Sequence, residues 1–194
     1  MTIKYNNVFI EDAYTICGNY ENDGPLSKYF DKKYEKDLYF GEKSWEQAEV
    51  HLLKEANTNI LKKNKLKEED IDLLISGDLQ NQIAASNYMA REFNIPFLGI
   101  FEACSTSGEG LAIGSTYIEG GFAKRILVST SSHNMAAEKQ FRNPTEYGTP
   151  KPKTATFTST GGVSILLSNK KSKVKVESST IGKVVDMGLS LIHI

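Results

Sequence analysis

The sequence contains few of the residues that bind metals or form disulfides. Its 194 residues include two cysteines and three histidines. Cys17 and Cys104 lie far apart with no CxxC spacing, and the histidines are scattered, so we expect no metal site. Two cysteines would allow one disulfide, but they do not make the disulfide framework of a small secreted domain. A reducing compartment fits this composition better.

The sequence also lacks an excess of charge of either sign and any long hydrophobic run. Lysine and arginine number 23 against 24 aspartates and glutamates, which gives a formal net charge of -1. Such a chain has no global positive field to attract nucleic acid. Residues 1–10 lack the apolar segment of a signal peptide, and no run approaches the roughly 20 apolar residues that span a bilayer. We therefore expect a soluble protein without a nucleic-acid partner.

Helix and strand patterns alternate through the middle of the chain. Ser44 and Gln47 form a capping box, which predicts that a long helix begins at Trp45. Short apolar runs bounded by turn residues predict buried strands. The predicted strands are residues 71–77, 97–101 and 125–130, and the predicted helices between them are residues 83–93 and 105–119. Their short connections require parallel crossovers, so the sequence predicts an α/β fold with helices on the faces of the sheet.

The last third of the chain has a different pattern. Residues 143–153 are rich in Pro, Gly, Lys and Thr, which predicts a long irregular loop. Residues 156–168 and 173–185 carry the β-branched residues typical of strands. We expect two late strands that pair antiparallel with each other.

Cys104 lies where a predicted strand ends and a helix begins. A thiol in the first helical turn lies beside unpaired backbone N–H groups and the positive end of the helix dipole, which stabilise a thiolate. Cys104 could therefore be a nucleophile, and it could equally be a buried structural thiol. The helix that follows contains Gly108, Gly110 and Gly114, each of which costs about 1 kcal/mol relative to alanine. We expect other elements to pack closely around this helix, which would also keep water away from Cys104.

Asp78 and His133 follow two of the predicted strands, at the ends where α/β sheets place their ligands. Asp78 could face a ligand, or it could cap the segment that follows. His133 could act as a base for Cys104, or it could be a loop histidine bonded to backbone groups. The sequence leaves both alternatives open.

The glycine-rich segment after Cys104 does not match a nucleotide-binding motif. Gly110 and Gly114 are four residues apart, where the dinucleotide fingerprint requires three. No GKS or GKT follows a glycine-rich turn, so the P-loop motif is missing as well. We expect no cofactor.

Several segments together resemble the N-terminal half of the thiolase superfamily. These segments are residues 71–79, 103–107, 120–125 and 131–134. The chain resembles the stage V sporulation protein AD family more closely, through residues 24–26, 43–46, 141–148 and 151–156. The resemblance covers about residues 24–188.

The resemblance implies a thiolase-like fold, with one βαβαβαββ half, a mostly parallel mixed sheet and helices on both faces. Thiolase-like proteins contain two such halves, with the nucleophilic cysteine in the first and its histidine and other acid–base partners in the second. This chain matches the first half only. We therefore expect a thiolase-like half at residues 1–188 and a non-family tail at residues 189–194, which we attribute to truncation or a misread sequence.

The resemblance also implies a function in sporulation. Members of this family are expected to bind dipicolinic acid and to support its uptake, with calcium, into the developing spore. They are expected to act with other SpoVA proteins, peripheral to the spore inner membrane, and to form a homodimer in the full-length protein. Asp78 and Leu79 match the expected ligand site, and Cys104 and Ser105 match the nucleophile site. His133 is a further ligand-binding candidate.

Two functions therefore compete. In the first, the thiolase site has become a binding site for dipicolinate, a flat dianion that needs hydrogen-bond donors and an apolar wall. Asp78 would then need a cation, a water or a proton beside the dianion. In the second, Cys104 is the nucleophile of an acyltransferase. The narrower match favours binding, and covalent turnover would also need partners from the family's second half.

Overall fold

The computed structural model describes residues 1–141 and 158–185. The helices in these ranges are α1 (Asn19–Asn22), α2 (Trp45–Asn64), α3 (Ala84–Ala90), α4 (Thr106–Glu119) and α5 (Asn134–Phe141). The strands are β1 (Thr2–Lys4), β2 (Phe9–Cys17), β3 (Lys32–Lys33), β4 (Leu73–Gly77), β5 (Phe97–Gly99), β6 (Arg125–Ser132), β7 (Gly161–Ser168), β8 (Val174–Lys175) and β9 (Ser178–Thr180).

A seven-stranded mixed sheet forms the centre of the fold. Its strand order is β3-β2-β7-β6-β4-β5, and β8 pairs with the start of β2. Strands β2 to β6 run in one direction and β7 and β8 run in the other, so the sheet is mostly parallel. The main elements follow the order β2-α2-β4-α3-β5-α4-β6-β7. This order confirms the predicted α/β fold with a βαβαβαββ half.

Successive residues of the central strands face two different cores. Leu74 and Leu127 belong to the core under α2 and α3. Their neighbours Ile75 and Val128 belong to the core under α4, to which that helix contributes Ile118. The sheet is therefore covered by helices on both faces, as predicted.

Helix α2 begins where the capping box predicts. Ser44 Oγ accepts a hydrogen bond from Gln47 N at 3.2 Å. Gln47 Oε1 accepts from Lys43 N at 3.3 Å, one residue before the position expected for the reciprocal bond. One face of α2 carries an apolar stripe that packs on the sheet, with these residues fully buried: Ala48, Leu52, Ala56 and Ile60.

The prediction that the two late strands pair with each other was wrong. Strand β7 pairs antiparallel with both β2 and β6. The region predicted as residues 173–185 forms β8, which pairs with β2, and β9, which pairs with β1. The loop predicted at residues 143–153 lies outside the described residues. The other predicted elements are present, with ends that shift by no more than three residues.

Strand β2 explains this error because it supplies the partner that both late strands use. No clear sequence pattern indicates this strand, since Glu11 and Asp12 interrupt its apolar residues. In the structure these acids form ion pairs, Glu11 with Arg125 at 3.0 Å and Asp12 with Lys63 at 2.8 Å. Their partners lie more than 50 residues away along the chain, so local patterns could not reveal them.

Candidate functional site

A pocket of about 630 Å³ lies at the carboxyl ends of β4 and β6. Asp78, Leu79 and Cys104 all line it, so the structure brings together three residues that the sequence singled out. The other described residues of its wall are Thr15, Phe30, Gly77, Ala103, Thr106, Ser107, Thr130, Ser131, Ser132, Thr158, Ser159, Gly161, Gly162 and Val163.

Cys104 is exposed on a strained turn that precedes α4. Ala103 has a φ of 45°, a left-handed conformation that costs a residue with a side chain about 1–2 kcal/mol. Thr106 holds the turn, because its Oγ1 donates to Ala103 O at 2.8 Å and accepts from Glu102 N at 3.1 Å. Cys104 is therefore not the buried structural thiol of the second alternative, and the expectation that water is kept away from it was wrong. Gly110 and Gly114 of α4 face the sheet, whereas the turn before the helix is exposed.

Close backbone packing places this turn against the end of β4. A Cβ at Gly77 would lie 2.3 Å from Ile100 O and 2.5 Å from Thr106 Cγ2, so only glycine fits there. Within α4, a Cβ at Gly110 would lie 2.6 Å from Val128 Cγ1. This contact confirms that the small residues of α4 allow a close approach to the sheet.

Asp78 is buried, and both of its carboxylate oxygens accept backbone hydrogen bonds. Oδ1 accepts from Gln80 N at 2.8 Å, and Oδ2 accepts from Ser86 N in the first turn of α3 at 2.7 Å. These bonds span a loop in which Gln82 and Ile83 have φ values of 58° and 49°. Burial raises the pKa of Asp78 above its ordinary value, although these hydrogen bonds oppose the rise. Asp78 thus lines the pocket, and its side chain caps α3 through the bond from Ser86 N; that it faces a ligand stays a prediction.

Ser105 lies outside the pocket although it follows Cys104. Its Oγ donates to Glu102 O at 2.9 Å, and it is not among the described lining residues. The prediction that Ser105 contributes to the site finds no support in this geometry, because its side chain closes the turn instead.

His133 also lies outside the pocket. It is fully buried, and its Nε2 donates to Leu38 O at 2.7 Å while its Nδ1 accepts from Ala136 N at 3.4 Å. Burial lowers the pKa of His133, which favours the neutral ring. The chain turns between β6 and α5 at this point and packs the ring against Phe40, with ring centroids 5.7 Å apart. Both nitrogens are bonded to backbone groups, so the geometry does not place His133 as a base for Cys104 or as a ligand contact.

Hydroxyl groups provide most of the polar lining of the pocket. Ser107 Oγ and Thr130 Oγ1 are 2.7 Å apart, and Ser132 Oγ donates to Ser159 O at 2.6 Å. In the first pair one hydroxyl donates to the other, which leaves the second proton for a ligand. The described lining residues include no lysine, arginine or histidine. Sequence patterns suggested none of these hydroxyls individually, although the run of serines and threonines at the end of β6 was a usable signal.

Glu49 is a buried acid directly behind the pocket wall, and the sequence did not reveal it. Its side chain is fully buried on α2. Oε1 accepts from Ser131 Oγ at 3.0 Å and Oε2 accepts from Gln80 Nε2 at 2.9 Å. Burial, with a smaller effect from the charge of Asp78, raises the pKa of Glu49 to about 7.

Across residues 1–141 and 158–185 the structure contains no group of three or more His, Cys, Asp or Glu residues that could hold a metal ion. Over the same ranges no helix is long and apolar enough to cross a membrane.

Comparison with known sequences decides the family. A sequence profile of the stage V sporulation protein AD family matches residues 1–192. The chain belongs to the stage V sporulation protein AD family. Its relative of that name from Bacillus subtilis (strain 168) is 49% identical over 183 residues, which are 94% of this chain and 54% of the relative. This family member thus spans about half the length of that relative. The tail proposed at residues 189–194 lies outside the described residues, so its boundary stays a prediction.

Solved structures show that this family member has a thiolase-like fold. Acetamide-bound OleA from Xanthomonas campestris has a TM-score of 0.57 at 14% identity, with 86% of this chain and 59% of that chain covered. The 3-oxoacyl-[acyl-carrier-protein] synthase III from Aquifex aeolicus has a TM-score of 0.51 at 17% identity, with 89% of this chain and 55% of that chain covered. A fungal type III polyketide synthase has a TM-score of 0.56 at 13% identity, with 84% of this chain and 56% of that chain covered.

Proposed function

We propose that this sporulation protein binds dipicolinic acid in the pocket at the ends of β4 and β6 and supports its uptake, with calcium, into the developing spore. The observation that carries the proposal is the convergence of Asp78, Leu79 and Cys104 on one pocket. Asp78 and Leu79 are adjacent, and Cys104 comes from a separate segment of the chain. They are also the positions that match the expected site of the family.

The lining supports a flat aromatic ligand with carboxylate groups. Leu79, Phe30 and Val163 offer apolar surface for the ring. The second proton of the Ser107 and Thr130 pair is available to a carboxylate oxygen. The amino-terminal end of α4 adds backbone N–H groups and a positive dipole end.

The charge of the pocket bears on the form in which dipicolinate binds. Asp78 is the acidic residue among the described lining residues, and none of them is basic. A dianion beside an ionised Asp78 is unfavourable. A calcium ion that arrives with dipicolinate, or a proton taken up on binding, would remove this repulsion.

We also propose the partners and the location that the family resemblance implies. It would act with other SpoVA proteins, peripheral to the spore inner membrane, and the full-length protein would be a homodimer. Co-purification of the full-length protein with another SpoVA protein from sporulating cells would support this setting, and recovery alone in monomeric form would contradict it.

Isothermal titration calorimetry tests the binding proposal. Dipicolinate should bind the chain, and Ser107→Ala should weaken binding about 3- to 10-fold, which corresponds to one hydrogen bond. Thr116→Ala is the matched control, because Thr116 lies on the same helix and donates to Ala112 O away from the pocket. Isophthalate, which lacks the ring nitrogen and chelates calcium poorly, is the control ligand. Absence of binding, or equal losses in both variants, would contradict the proposal.

Acyl transfer is the second candidate, because Cys104 is exposed on a strained turn at the start of α4. Incubation with an acyl thioester followed by mass spectrometry distinguishes the two functions. An acyl group that forms on Cys104 and turns over would favour the enzyme, whereas an unmodified thiol would favour binding alone.

A further inference from the structure

A row of three side chains crosses the floor of the pocket. Thr15 of β2 pairs with Val163 of β7, and Val163 pairs in turn with Thr130 of β6. Residues directly opposite each other in antiparallel strands lie on the same face of the sheet, and all three line the pocket. Two strand spacings, about 9.5 Å, separate Thr15 from Thr130. The floor is therefore wide enough for a six-membered ring that carries two carboxylate groups.

The two ends of this row differ in chemistry. At the β6 end, Thr130 Oγ1 is 2.7 Å from Ser107 Oγ at the start of α4, so this end offers a hydrogen bond. At the β2 end the pocket is lined by Thr15 and by Phe30, the aromatic residue among the described lining residues. A ligand on the floor thus meets hydroxyl groups on one side and a phenyl ring on the other.

The segment that carries Phe30 is tied to the floor by its next residue. Asp31 Oδ2 accepts hydrogen bonds from Thr15 N at 2.9 Å and from Thr15 Oγ1 at 3.0 Å. Asp31 N donates back to Thr15 Oγ1 at 3.2 Å. Directly afterwards Lys32 of β3 pairs with Ile16 of β2. Phe30 is therefore held in place before a ligand arrives, which lowers the entropy that binding costs.

The ring of Phe30 has no aromatic partner among the residues that the structure describes. Rings that follow it in the chain are paired, Tyr34 with Phe40 at 4.4 Å between centroids and Tyr39 with Trp45 at 6.0 Å. Phe30 is only partly buried, so part of its surface is open to the pocket that it lines. This ring is therefore available to stack on a ligand.

We propose that Phe30 is the residue by which the pocket selects an aromatic dicarboxylate. The ring of dipicolinate stacks on Phe30, and one of its carboxylates accepts from the Ser107 and Thr130 pair. Contact with Val163 favours any apolar ring, whereas a phenyl ring favours a flat aromatic one. Asp31 is a positioning residue, because it acts on the ligand through Phe30. This inference rests on the proposed function and adds the residue that determines specificity.

Calorimetry with dipicolinate tests the contribution of the ring. Phe30→Leu keeps an apolar side chain but removes the ring, so affinity should fall about 3- to 10-fold. Phe30→Tyr keeps the ring and should bind within about 2-fold of wild type. Tyr29→Leu is the matched control, because Tyr29 is the preceding residue, is 69% exposed and is not among the described lining residues. This control should bind as wild type does.

Asp31→Ala gives a second readout that a general loss of structure would not reproduce. Asp31 acts through Phe30, so this change should weaken dipicolinate binding in wild type and have little further effect in Phe30→Leu. Additive losses would contradict the positioning role of Asp31.

Two outcomes separate this inference from the proposed function. If wild type binds dipicolinate and Phe30→Leu binds equally well, or if Phe30→Tyr loses as much affinity as Phe30→Leu, the role of the ring is overturned and the proposed function stands. If wild type does not bind dipicolinate, the proposed function fails and the inference fails with it.

Discussion

Glu49→Gln should change how the stability of this chain depends on pH. Burial raises the pKa of Glu49 in the folded protein from 4.5 to about 7. Between these values the folded chain holds a proton that the unfolded chain has released, so the free energy of unfolding falls as pH rises. At 1.36 kcal/mol per pKa unit, the total loss is about 3 kcal/mol, absent below about pH 4.5 and complete above about pH 7.

Urea unfolding of wild type and Glu49→Gln at about pH 5 and about pH 8 measures this effect. The quantity to compare is the difference in free energy of unfolding between the two proteins, because other acids also make stability depend on pH. Hydrogen bonds and ion pairs lower the pKa of Glu11 and of Asp12, against the opposing effect of burial. Glu11 and Asp12 stabilise the fold at pH values above the pKa that each has in the unfolded chain, and this contribution is lost at acidic pH. The loss is the same in wild type and in Glu49→Gln. Glu49→Gln should gain about 2.5 kcal/mol relative to wild type between the two pH values.

A difference that stays constant with pH would refute this reasoning. It would mean that Glu49 is ionised at ordinary pH in the folded chain, through hydration or a compensating charge. Glu92→Gln, which removes an exposed acid paired with Lys54, serves as the control.

Two other predictions concern packing and capping. Gly108→Ala should stabilise the chain by about 1 kcal/mol, because no atom lies within 4 Å of the added Cβ, whereas Gly110→Ala should destabilise it by about 1–3 kcal/mol through contact with Val128. Equal effects in urea unfolding would contradict the packing of α4. Asp78→Asn should lower the free energy of unfolding by about 1–3 kcal/mol, because an amide nitrogen cannot accept the hydrogen bond from Ser86 N. Unchanged stability would show that Asp78 does not cap α3.

The sequence predicted those parts of the fold that local patterns determine. The capping box of Ser44 and the stripe of apolar residues on α2 depend on neighbours within one or two turns, so the helix was found. Strand β2 depends on ion pairs with distant residues, and without it the pairing of the late strands could not be assigned.

The candidate site shows the same division. The rule that ligands bind at strand ends singled out Asp78, the position at the start of a helix singled out Cys104, and the family resemblance added Leu79; all three line the pocket. Glu49 belongs to the apolar face of α2 in the sequence, and its partner Ser131 is 82 residues away. His133 and Ser105 follow the right elements, but the backbone turns their side chains away from the pocket. Strand position therefore predicted the edge of the sheet, and tertiary contacts determined which side chains reach the pocket.

Protection of Cys104 from alkylation tests the binding of dipicolinate at this pocket most directly. Cys104 is exposed and Cys17 is buried, so a thiol reagent should modify only Cys104 in the folded chain. Dipicolinate should slow this modification, with a midpoint equal to the dissociation constant from calorimetry. An alkylation rate that stays unchanged when the calorimetric signal is saturated would contradict binding beside Cys104.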